Sequence, residues 1–312
     1  MTLGVNIGDL CCDDPWNSKK VLRSLNNEVE SVKFFHCDPS KIVPIGMSKM
    51  LKTIYIHLSN EELCTTRSWK NWINHNLKPI ASRLRGKKLY LVVGNEVLSD
   101  HNKSKYAPKL LPALRGCYKA LNECNLRNVS VVTPLDTSCL ACSYPPSASF
   151  FKPEFVPILK EIFKFTVNAR SKICFNVYPY FAKQHVSEDF ALFGENPGYI
   201  DQGRRYDDLF CAQYDSVVHA VAKLGVRNAN RLELVVTETG WPSNGGEMSS
   251  DRNTCRYING IKKVCKEGTP LRPGPREILL FELYDENLKG GPDFERFFGV
   301  FKFLNINHSF KK

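Results

Sequence analysis

The 312-residue sequence contains no uninterrupted apolar run of membrane-spanning length, so no transmembrane helix is predicted. Its longest apolar stretches, such as "LYLVV" at 89–93, are strand-sized. The opening "MTLGVNIGDL" lacks the basic start and the apolar core of a secretory leader, so the chain is expected to be either cytosolic or shown without its leader. The net charge of +11, from 43 Lys and Arg against 32 Asp and Glu, comes without a dense basic run or an aromatic-interleaved basic motif. Spread charge of this kind predicts a generally basic surface and no nucleic-acid partner. The Cys139/Cys142 pair has metal-ligand spacing but neither a second C-x-x-C nor an H-x-x-x-H partner, so no metal site is expected.

What is present is an ordinary globular composition, 43% hydrophobic and 24% charged, which argues against disorder and fibrous repeats. The twelve cysteines are scattered and fall mostly within apolar segments. They are read as reduced, buried small hydrophobes, because a chain of this size needs no disulfide framework. The N-x-S/T triplets at Asn102, Asn128 and Asn307 are weak hints of a secreted ancestry, since such triplets also arise by chance.

Eight short, β-branched or aromatic runs punctuate the chain: 3–6, 32–35, 53–57, 89–95, 129–133, 173–178, 232–237 and 277–283. Several are continuously apolar instead of alternating, as strands covered on both faces must be. Between them, apolar residues recur at helical spacing, as in Leu110, Leu111, Leu114, Tyr118 and Leu121, then Phe155, Ile158, Leu159, Ile162 and Phe163, then Phe210, Tyr214, Val217, Val221 and Leu224. Strands and helices alternating eight times predict a single α/β domain over 1–312, a (β/α)8 TIM barrel, with an open doubly wound sheet as the rival. An aromatic-rich insertion from Pro179 to Arg205, after strand six, is expected to wall one side of a cleft.

In such a barrel the C-terminal strand ends carry the chemistry. Two of them look alike: "LVVGNE" ends on Glu96 at strand four and "LVVTE" ends on Glu238 at strand seven. A single Glu in this position is as readily the first solvated residue after a strand; a pair on one rim carries more. Glycosidic cleavage needs such a pair, one group to protonate the leaving oxygen and one to attack or stabilise the sugar cation. Trp69 and Trp72, three apart on a predicted helix, and Trp16 are expected to pack instead of forming sugar platforms.

The chain resembles the plant endo-1,3-β-glucanases of glycoside hydrolase family 17 over nearly its whole length. The resemblance rests on "GVNIG" (4–8), "VKFFHCDP" (32–39), "VVGNEVL" (92–98), "SYPPSASFF" (143–151), "FNVYPYFA" (175–182), "TETGWPSNGG" (237–246), "GTPLRPG" (268–274) and "FELYDENLKGGPDFERFFGVF" (281–301), in family order. It implies a retaining (β/α)8 barrel in which Glu96 is the general acid/base and Glu238 the nucleophile. It also implies that Asn95 hydrogen-bonds the sugar beside the nucleophile, that Glu286 and Lys289 organise charge around the site, and that Tyr178 and Trp241 line the cleft. A cation such as Lys289 is expected to favour the ionised Glu238. No metal or organic cofactor is implied.

Four departures from the family pattern bear on subsite contacts: Phe35 and Ile7 where Tyr is usual, His36 where Asp is usual, and Cys211 where another Asp is usual. The expected partner is 1,3-β-glucan of the callose or laminarin type, bound by a monomer. Family members act outside the cell, so a secreted or cell-wall location is the expectation. Two alternatives stay open at this point: a glucan-binding or weakly active relative on the same barrel, and a mixed-linkage 1,3;1,4-β-glucanase.

Overall fold

A computed structural model describes residues 2–11, 17–25 and 27–304. Trp16, Cys12 and Asn307 lie outside these residues. Eight strand positions appear where the apolar runs predict them: β1 (Thr2–Ile7), β2 (Val29–Phe34), β3 (Thr53–Leu58), β4 (Lys88–Val93), β5 (Val129–Val132), β6 (Ile173–Asn176), β7 (Leu234–Thr239) and β8 (Glu277–Leu280). After Thr133, β5 continues in a second segment, Pro134–Asp136. All pairings in this sheet are parallel. The first segment of β5 pairs with β4 and the second with β6, so the ring closes through the fifth strand into the expected barrel. Pro134 has no N–H to give the ladder, and the start of a segment is where a strand tolerates that loss.

Residues of opposite parity supply two apolar layers. Tyr55, Tyr90, Val92, Val132, Cys174, Val235 and Leu279 cluster inside the ring. Their strand neighbours, among them Ile54, Ile56, Leu91, Val131, Phe175, Val236 and Ile278, join the larger core against the helices. Burial on both faces is why a strand such as β4 reads as a nearly continuous apolar run, while β2 and β3 carry the buried polar residues Lys33 and His57.

The helical periodicities are met by Lys103–Glu123, Val156–Asn168 and Leu209–Lys223. The first buries Leu110, Leu114 and Leu121 but leaves Tyr118 exposed. Trp69 and Trp72 open a short helix and pack as expected, Trp72 donating its indole N–H to Glu62 Oε1 at 2.7 Å. The insertion after β6 folds into a 3-10 turn (Pro179–His185), a short helix (Glu188–Ala191) and an antiparallel hairpin of Tyr199–Asp201 with Arg204–Tyr206. Buried Tyr206 pins it to the barrel by donating to Asp215 Oδ2 at 3.0 Å. Among the described residues, no helix is long and apolar enough to cross a membrane.

Candidate active site

At the end of β4 the backbone leaves ordinary strand conformation. Gly94 has φ +66°, and a side chain there would also press against Val97. Glu96 itself sits at φ +50°, a left-handed conformation that costs a non-glycine residue about 1–3 kcal/mol and persists only when its surroundings impose it. Those surroundings are visible. Asn60 accepts from the Asn95 N–H at 2.8 Å and donates to the Asn95 carbonyl at 2.9 Å. The Glu96 N–H donates to the Pro134 carbonyl at 3.0 Å, and Asn102 donates to the Glu96 carbonyl at 3.1 Å.

β7 delivers Glu238 by a different device. Counting from the inward-facing Val235, strict alternation would turn Glu238 outward, towards the helices. The register against β6 runs Val236 to Phe175 and then Glu238 to Asn176, two residues of β7 spanning one of β6; β7 slips likewise against β8. This bulge re-aims Glu238 into the ring opposite Asn176, a recurrent use of bulges beside sites.

The two carboxylates meet contrasting neighbours. Glu238, 6% exposed, accepts from Lys33 Nζ at 2.5 Å and from the Tyr178 hydroxyl at 3.0 Å. Lys33 is fully buried and also reaches Asn95 Oδ1 at 3.2 Å. Burial and the charge of Glu238 hold the Tyr178 phenol far above its usual range, so it remains a donor. Glu96 has no cation within bonding distance among the described residues; its Oε1 accepts from Asn176 Nδ2 at 2.8 Å. Burial first, then the charges of Glu238 and Asp136, push the Glu96 carboxyl up to about 7. Asn176 is oriented in turn by Thr237, whose hydroxyl donates to its Oδ1 at 2.8 Å, so one amide chain links the two strand ends.

Both groups open into a cleft of about 810 Å³ that is also lined by Phe35, Asn95, Tyr178, Glu286 and Lys289. Its β4–β5 side carries Ser99, Asp136 and Ser138, whereas its other side carries Phe35, Tyr178, Phe181, Phe281 and Phe298. From the insertion, Phe181 supplies the expected wall.

Three expectations need correction. Trp241 does not line the cleft: it is 1% exposed, packs against Tyr180 and Tyr257, and donates its indole N–H to the Met248 carbonyl at 2.9 Å. Lys289 is not the counter-ion of Glu238; it pairs with Glu295 at 3.1 Å and lies 3.9 Å from Glu286. Burial works against its charge, but Glu295 and Glu282 outweigh that and hold its pKa above the ordinary value. Ile7 is fully buried in the outer core, so the residue there borders no cleft; of the four departures only Phe35 does.

The cation at Glu238 is Lys33, a residue not singled out in the sequence. A signal existed, since Lys33 shares strand parity with Phe35 and stands alone in an apolar run. Asn176, Asp136 and Phe181 were also missed. The cysteines from Cys11 to Cys265 are free among the described residues, and no His, Cys, Asp or Glu cluster there has the makings of a metal site.

Paired carboxylates in unlike settings on a barrel rim are an arrangement that glycosidic cleavage can use. The pattern of glycosyl hydrolases family 17 matches residues 3–306, and the chain belongs to that family; it is a glycoside hydrolase. It is 34% identical to glucan endo-1,3-beta-glucosidase 10 of Arabidopsis thaliana, over 96% of this chain and 73% of that protein. A putative glucan endo-1,3-beta-glucosidase GVI of Hordeum vulgare is 33% identical, with 96% and 93% covered. Among solved structures, CJP38, a beta-1,3-glucanase and allergen of Cryptomeria japonica pollen, superposes with a TM-score of 0.87 at 30% identity, covering 96% of this chain and 95% of that one.

Proposed function

We propose that this glycoside hydrolase cleaves internal 1,3-β-D-glucosidic linkages with net retention, using Glu238 as nucleophile and Glu96 as general acid/base. The observation that carries the assignment is the contrast between them: Glu238 is ion-paired to Lys33 at 2.5 Å, while the Glu96 carboxyl is pushed up to about 7. The substrate class is supported by the names of relatives in Arabidopsis and Hordeum that share nearly the whole barrel.

In the first step the Glu238 carboxylate attacks the anomeric carbon while Glu96 gives its proton to the departing glycosidic oxygen. The product is a glycosyl ester on Glu238, and the aglycone leaves with the proton. Glu96, now a carboxylate, takes a proton from water as that water attacks the same carbon, and Glu238 is released. Two inversions give retention. Tyr178 and Lys33 hold Glu238 in place, and Asn176 orients Glu96. Phe35, which is half-buried, and Phe181, which is exposed, offer apolar faces to pyranose rings.

The test is laminarin hydrolysis with the product anomer followed by NMR. The wild type is expected to release β-anomeric reducing ends. Glu238→Ala should lose activity by a factor on the order of 10⁴ or more, and azide should trap an α-glucosyl azide from activated substrates. Glu96→Gln should lose natural-substrate turnover by a similar factor while keeping activity on substrates whose leaving group needs no proton. An active Glu238→Ala would sink the site assignment, an α product would overturn retention, and a wild type that binds laminarin without turnover would overturn the hydrolytic reading.

A further inference from the structure

A second cavity of about 610 Å³ lies between the insertion after β6 and the helix Leu209–Lys223, outside the catalytic cleft. One segment of chain divides the two: in the 3-10 turn Pro179–His185, Phe181 lines the cleft while Ala182 and His185 line the second cavity. The cavity lies within the range of small-ligand sites.

Three features of its lining describe an occupant. It contains no Asp, Glu, Lys or Arg, in a chain whose net charge is +11, so the surroundings suit a neutral ligand. Two of its polar atoms, the Tyr199 hydroxyl and Gln213 Oε1, are buried without a hydrogen-bond partner. Leaving such atoms unpaired is costly and calls for an explanation in each case. One is a donor and the other an acceptor, the two capacities that sugar hydroxyls complement. Finally, the lining residue Tyr144 is 68% exposed and meets Tyr199 in a T-shaped contact with centroids 5.2 Å apart, so most of its ring remains open to a stacking partner.

We propose that this cavity is a second carbohydrate-binding site, and that it holds a glucose unit of a 1,3-β-glucan chain other than the one being cleaved, or a distant part of the same chain. The choice of glucan rests on the function proposed above; the choice of a neutral, hydroxyl-rich ligand rests on the cavity alone. The site would keep the hydrolase on an insoluble polymer between cleavage events while contributing nothing to short substrates that fit the cleft.

The test uses the full chain with Glu238→Ala as the catalytically silent background, incubated with insoluble 1,3-β-glucan, and compares retention with and without Tyr144→Ala or Tyr199→Phe. Either substitution is expected to weaken retention about fivefold to tenfold. In the Glu238-intact protein the same substitutions should leave hydrolysis of laminaritriose unchanged. Tyr199→Phe removes only a hydroxyl that has no protein hydrogen-bond partner, so unchanged thermal stability separates a lost ligand contact from a damaged fold. Unchanged retention in both variants would overturn the second site, as would equal weakening of laminaritriose hydrolysis. Failure of the hydrolytic reading shows separately, as a wild type that does not cleave laminaritriose or laminarin, while the retention arm still reads the cavity.

Discussion

Glu238 and Glu96 are the same residue type at equivalent places on two barrel strands, and their surroundings differ in one decisive respect. Glu238 faces a cation, Lys33, and a phenol donor. Glu96 faces a neutral amide and two other carboxylates, and its carboxyl is pushed up to about 7. A third buried carboxyl, Glu282, extends the series: it is 1% exposed, its oxygens accept from no protein donor, and it lies with Glu286 against Gly8. Burial first, then Glu286, raise its pKa well above the usual carboxylate range. Burial raises the pKa of Glu96 and Glu282 and the neighbouring carboxylates add to it, whereas Glu238 is set apart by the buried cation with which it pairs.

The sharpest way to break this comparison is to remove the cation. Lys33→Met leaves Glu238 as a buried, uncompensated charge, and loss of a buried ion-pair partner costs about 3–5 kcal/mol. The melting temperature and laminarin turnover should both fall, and adding Glu238→Gln should return much of the stability but none of the turnover. A Lys33→Met protein as stable as wild type would show that the pair is not what accommodates Glu238.

Glu282→Gln tests the opposite end of the series. The folded protein keeps the Glu282 proton at pH values where the unfolded chain, with a glutamate pKa of about 4.3, has released it. Folding therefore takes up a proton, and wild-type stability falls as pH rises from about 4.3 towards the raised folded value. The amide removes this penalty, so its stability gain should be small at pH 5 and larger at pH 8, growing by at most about 1.4 kcal/mol per pH unit. Urea unfolding at the two pH values decides it; a gain that does not grow with pH contradicts the assignment.

The smallest effect concerns tuning. Activity should fall as pH rises through about 7, because Glu96 must be protonated to act as an acid. Asp136 ranks behind burial and Glu238 among the causes of that value. Asp136→Asn should therefore lower the basic limb of the kcat/KM profile by less than about one pH unit, roughly 1.4 kcal/mol. A limb that moves upward would remove Asp136 from the account.

Much of the barrel was legible because strands buried on both faces leave a continuous apolar signature, and all eight runs became strands. The break in β5 was foreshadowed by Pro134, but its consequence, ring closure through two half-strands, depends on which neighbours each half meets. The site was legible at Glu96 and Glu238, since both end apolar runs. The resemblance implied a place for Trp241 in the cleft, but past the bulge its side chain packs against Tyr180 and Tyr257. Lys33 was overlooked because a lone lysine in an apolar strand carries no mark of its partner 205 positions away.

The sequence by itself settled the alternation of strands and helices, the family, and which two carboxylates stand at strand ends, because these follow from local periodicity and contiguous motifs. Only the tertiary structure decided that a bulge turns Glu238 inward, that Lys33 and not Lys289 meets it, that Asn176 ties the two strand ends together, and that a second, uncharged cavity lies behind the cleft wall. Each depends on side chains far apart in the chain sharing one low-dielectric space, where a separation of a few ångströms sets the strength of an interaction and distance along the chain does not.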